Sequence, residues 1–62
     1  MQKTIKTIRE NLGYSYEDMA VKLNIPIGIY KYYEKFPKVI PASIAIKIAG
    51  LGAITVNDIF FE

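Results

Sequence analysis

At 62 residues and a net charge of +2, the chain has room for one small domain with one modest core. It contains no cysteine and no histidine, which excludes disulfides, thiolate and imidazole metal sites and the usual general base. Hydrophobic residues make up 52% of the chain, more than so small a core absorbs, so part of that surface is expected outside.

The first predicted helix begins at Lys3 or Thr4. Ile5, Ile8 and Leu12 fall on one face, and Lys6, Arg9 and Glu10 on the other. Gly13 is the expected left-handed exit. Tyr14 precedes Ser15, whose hydroxyl is suited to cap a second helix, with Asp18 closing a capping box. That helix runs over about Tyr16 to Leu23, with Met19, Ala20 and Leu23 inward. Asn24 tolerates the left-handed conformation and stops it. Pro26 opens a third helix that reaches about Lys35, with Ile29, Tyr30 and Tyr33 as its apolar face.

Phe36-Pro37 breaks the third helix, because a residue before proline is pushed out of the α region. Pro41 opens a fourth, with Ile44, Ile48 and Leu51 inward, Ala45 and Ala49 allowing close approach, and Ile46 off the stripe. Gly50 and Gly52 are expected to end it. Thr55 and Asp58 form a second capping-box pattern before Ile59 and Phe60, the expected anchors of a last short helix. The expected fold is all-α, a compact bundle of five short helices in a single domain over residues 1–62. No repeat or linker interrupts it.

Little in the chain favours catalysis. Asp18 and Asp58 are occupied as caps, and Glu17 sits in a first helical turn where the dipole favours negative charge. No nucleophile–base pair or phosphate loop is present, so no enzymatic activity, cofactor, metal or small-molecule substrate is expected. Met1 to Arg9 is amphipathic and lacks the apolar region of a signal peptide, and no apolar run approaches a membrane span. A cytoplasmic protein without membrane contact is expected.

The pattern around Ala20 carries a resemblance. With Met19, Leu23, Ile25, Tyr30 and Tyr33 inward, Glu34 closing the third helix, the Pro41 start, the Lys47-Ile48-Ala49 run and the Thr55 to Phe60 ending, the chain resembles the Cro/CI-type helix-turn-helix family, also called XRE or lambda-repressor-like. The match extends from Ile5 to Phe60. It implies a bacterial-host, phage-switch transcription regulator. In that family the third helix enters the major groove and meets base edges with its first residues. The resemblance places Tyr16 where a glutamine is usual, and Pro26, Ile27, Gly28, Lys31 and Tyr32 at the outward positions of the third helix. Pro26, Ile27 and Gly28 carry no side-chain hydrogen-bonding group, whereas base readout requires donors and acceptors.

Two readings follow. In the first, the protein is an antirepressor or modulator. Tyr16, Ile27, Tyr30, Tyr32 and Phe36 form an apolar face that binds a partner repressor and blocks its DNA binding, with Lys31, Lys35 and Lys38 at the rim. In the alternative, it is a Cro-like repressor that binds operator DNA as a dimer. The same lysines then reach phosphate, Ile46, Ile54 and Phe61 supply the dimer surface, and half-sites lie about 34 Å apart.

Overall fold

Every α-helix begins at a residue that leaves extended backbone, and three of the four close in the same way. The computed structural model describes residues 2–62; Met1, the first residue of the amphipathic opening stretch, lies outside them. The elements are α1 (Ile5–Asn11), α2 (Tyr16–Leu23), α3 (Ile27–Lys35), a 3-10 turn (Pro37–Val39), α4 (Ala42–Leu51) and a second 3-10 turn (Val56–Asp58). Thr4 caps α1 by accepting the Thr7 N–H at 3.1 Å. Ser15 and Asp18 form the expected reciprocal box on α2: Ser15 Oγ accepts the Asp18 N–H, and Asp18 Oδ2 accepts the Ser15 N–H, each at 3.0 Å.

The exits of α1, α2 and α4 are Schellman closures. A left-handed residue sits between two backbone bonds that tie up the last carbonyls. The left-handed residues are Gly13 (φ 74°), Asn24 (φ 58°) and Ala53 (φ 56°). The bonds Tyr14 N–H to Arg9 O, Ile25 N–H to Ala20 O and Ile54 N–H to Ala49 O close the three ends at 3.0–3.1 Å. The residue after each turn, Tyr14, Ile25 or Ile54, then packs against the core. Each exit therefore also delivers an apolar side chain inward.

The expected ending of α4 is corrected in detail. Gly50 lies within the helix and Gly52 has an ordinary negative φ, so neither supplies the left-handed turn. Ala53 supplies it despite its Cβ. Gly52 answers a different constraint, since a Cβ there would stand 3.0 Å from Ile8 Cγ2.

The core gathers Ile5 and Ile8 of α1, Met19, Ala20 and Leu23 of α2, Tyr30 of α3, Ala45, Ile48 and Ala49 of α4, and Ile59. The two ends of the chain are stitched together there. Lys3 N–H donates to Asp58 O at 2.7 Å, and Phe60 N–H donates to Lys3 O at 2.8 Å. The fold is all-α and compact, but the described residues form four α-helices rather than five; the last expected helix is the second 3-10 turn, Val56–Asp58. Asp58 Oδ2 accepts both the backbone N–H (3.2 Å) and the hydroxyl (3.1 Å) of Thr55 there. Beyond it the backbone is extended, and side chains alternate. Ile59 is buried and Phe61 half-buried, while Phe60, an expected anchor, points out.

Ile29 and Arg9 also depart from expectation. Ile29 is exposed, because Tyr30, Tyr33 and Glu34 define the inward face and a step of about 100° carries Ile29 off it. Arg9 is buried rather than facing solvent, since it adjoins Ile8 and lies one turn beyond Ile5.

The α2 box gives a pH test. The Ser15 backbone N–H, then its hydroxyl, hold the Asp18 carboxyl below the ordinary aspartate range. A depressed folded pKa means that the stabilisation is present above the unfolded value and disappears as pH falls through the folded one. Asp18→Asn is therefore expected to melt below the wild type at pH 6, with the gap closing by about pH 2. An unchanged gap across that range in thermal melts would show that the carboxylate contributes nothing.

Candidate partner-facing surface

Helix α3 is set by the three residues before it. Asn24 turns the chain, Ile25 anchors it, and Pro26 holds extended backbone at the entry to Ile27. α2 and α3 are thereby joined by only Asn24, Ile25 and Pro26. Tyr30 is the fully buried residue of α3, with Tyr33 and Glu34 partly covered.

Beneath the surface lies an ion pair that sequence reasoning missed. Arg9 Nε donates to Glu34 Oε2 at 2.6 Å, Nη2 to Glu34 Oε1 at 3.4 Å, and Nη1 to the Tyr14 carbonyl at 3.0 Å. The guanidinium carbon stands 4.3 Å from the Tyr16 ring centroid. One side chain thus ties α1 to the end of α3 and supports Tyr16 from below. The bond to Glu34 raises the Arg9 pKa further, so it is charged at every accessible pH. Two signals for this pair were in the sequence: Arg9 beside Ile8, and Glu34 one turn after Tyr30, each an opposite charge at an inward edge.

Of the residues expected on the partner-facing surface, Tyr16, Pro26, Ile27, Gly28, Lys31, Tyr32, Lys35, Phe36 and Lys38 are exposed. Tyr30 is not; it is 0% exposed and belongs to the core. Its hydroxyl finds no hydrogen-bond partner among the described residues. Burial first, and the nearby Glu34 carboxylate second, keep that phenol neutral far above its ordinary range. Removing an unpartnered buried hydroxyl relieves a desolvation penalty of about 1–3 kcal/mol. Tyr30→Phe is therefore expected to hold or raise the melting temperature. A drop of several degrees would reveal a hydrogen bond to the hydroxyl.

Ile29, placed inward by sequence, joins the outer surface instead. Ile29, Tyr32 and Phe36 follow the i, i+3, i+7 spacing of one helical edge. Ile27, Ile29, Tyr32, Phe36 and Val39 are each between 41% and 50% exposed. The Tyr32 and Phe36 rings pack at 5.0 Å between centroids. Ile27 and Lys31 form the opposite edge, and Lys31 Nζ lies 5.4 Å from the Tyr16 ring. Gly28 lies between these edges.

A Cβ at Gly28 would meet nothing within 4 Å, so the fold does not require glycine there. Gly28→Ala is expected to stabilise the isolated domain by about 0.5–1 kcal/mol, readable as a shifted urea midpoint. Destabilisation would mean that Gly28 serves the fold.

The exposed apolar material expected for a dimer is thinner. Ile46 is exposed, but Ile54 and Phe61 are half-buried against the core. Among the described residues no helix is long and apolar enough to cross a membrane. Compared with known proteins, the chain matches no family model, no curated protein and no solved structure.

Proposed function

We propose that the chain is a lambda-repressor-like helix-turn-helix regulator that acts by binding another protein, a partner repressor, through the outer face of α3. The observation that carries this reading is the exposed apolar row Ile29, Tyr32, Phe36 and Val39, with Ile27 exposed on the other edge of the same outer face. Base edges are discriminated by bidentate donors and acceptors. An aromatic and aliphatic row with cations at its border matches the core and rim of a protein interface instead. An antirepressor role follows if the partner's covered surface is the one with which it reads DNA.

Gel-shift titration tests this. The chain alone is expected to give no sequence-selective shift with DNA flanking its own gene at low or physiological salt. Added to a complex of the partner repressor with its operator, it is expected to release the DNA. Direct operator binding as a Cro-like dimer is the competing result. A tight, sequence-selective shift by the chain alone would establish it and end the antirepressor reading.

A further inference from the structure

The apolar row of α3 runs into a groove where the helix meets the first 3-10 turn. This groove has a volume of about 390 Å³ and is walled by Tyr32, Phe36, Pro37 and Val39. Lys35 and Lys38 border it, and Glu62 lies at its edge. We infer that this groove seats the apolar side chains of an acidic amphipathic segment of the protein partner. The inference rests on the protein-binding reading above and specifies the partner's chemistry.

The walls call for apolar contact, since Tyr32 and Phe36 present two large rings that stay about half exposed. The volume lies within the range of specific small pockets, about 300–1,000 Å³, enough for a side chain or two but not for a folded domain. The border sets the sign. Lys35 Nζ stands 5.7 Å from the Phe36 ring centroid, so a positive charge already lies against the aromatic wall. Lys31 is one turn back along α3. Among the described residues, Arg9–Glu34 is the one ion pair within 4 Å, so Lys31, Lys35 and Lys38 are unmatched. A ligand that covers the walls must also approach Lys35 and Lys38, and carboxylates beside its apolar residues would satisfy both. Glu62 is the one acid among the groove's lining residues, against two lysines, so the border remains net positive. Phosphates of a duplex would meet the same lysines but leave the aromatic walls without a partner.

The test uses the full chain and three labelled synthetic peptides of about 14 residues, long enough to form a helix on binding. The first carries leucines at i, i+3 and i+7 flanked by glutamates. The second replaces its glutamates with lysines, and the third replaces its leucines with serines. Fluorescence anisotropy is expected to show the first binding at least about tenfold more tightly than the other two. Phe36→Ser is expected to lose that binding while the domain still folds, because Phe36 is not among the buried core residues. Lys35→Glu with Lys38→Glu is expected to transfer the preference to the lysine peptide. Equal binding of the acidic and basic peptides, or full binding by Phe36→Ser, would overturn the inference. If a partner captured by the chain is lost with Ile27→Asp but retained by Phe36→Ser and the double lysine variant, the groove assignment fails and the protein-binding reading stands. Binding of a random-sequence duplex with no binding of any peptide or protein overturns both.

Discussion

Glu34→Gln is expected to lower the unfolding free energy by about 3–5 kcal/mol, the largest stability loss of any single change at this surface. Both partners of the Arg9–Glu34 pair are nearly covered, with side chains 10% and 8% exposed, so solvent screens the pair little. Glutamine keeps the shape and one acceptor oxygen but removes the negative charge, so Arg9 is left a buried cation with no counter-charge and only neutral acceptors, the amide oxygen and the Tyr14 carbonyl. A chain of 62 residues has roughly 3–9 kcal/mol of stability in total. The variant should therefore lose at least about a third of the total stability and, towards the lower end of that range, be unfolded at room temperature. Arg9→Lys should also destabilise, because an ammonium supplies neither the two-pronged contact to Glu34 nor the flat stack on Tyr16. Replacing both partners, Arg9→Met with Glu34→Leu, should recover much of the loss, since it removes the stranded charge. Urea titrations followed by circular dichroism measure all three. A loss below about 1 kcal/mol for Glu34→Gln would show that the pair is effectively solvated.

Much of the fold was legible because its decisive signals are local. Ser15 and Asp18 are three residues apart, and Gly13 and Asn24 each end a helix through their own backbone conformation. The exposed Tyr16, Ile27, Tyr32 and Phe36 were legible for the same reason, from their position beside the inward stripe. The misreadings depend on contacts between elements. Arg9 and Glu34 lie 25 residues apart and meet only after α1 and α3 pack. Ala53 adopts a left-handed turn where glycine was expected, while Gly52 is small because of Ile8, a residue of α1. Phe60 and Phe61 exchange roles because the chain end is extended beside Lys3 rather than helical. Ile29 turned outward because Glu34, a charged residue, holds a place on the inward face to meet Arg9. That same ion pair therefore extends the apolar row on which the proposed function rests.

Ile27→Asp is expected to weaken binding of the partner at least about 100-fold while leaving the domain folded. Ile27 is the first residue of α3 and is 41% exposed. An aspartate there meets the positive end of the helix dipole, which favours negative charge, so the isolated helix gains rather than loses. The buried residues of α2 and α3, Leu23 and Tyr30 among them, are not altered. Against an apolar partner surface the same carboxylate would be desolvated without a counter-charge, apart from Lys31 one turn along. A hundredfold loss corresponds to about 2.8 kcal/mol, within the range of an interface hot spot. The Asp18 box and the Arg9–Glu34 pair are not altered, so the variant should still show one cooperative thermal melt. Calorimetric titration of wild type and variant against the partner measures the effect, with Ile46→Asp on α4 as the matched exposed control. If Ile46→Asp abolishes binding and Ile27→Asp does not, the partner docks on α4 and the outer face of α3 has some other role.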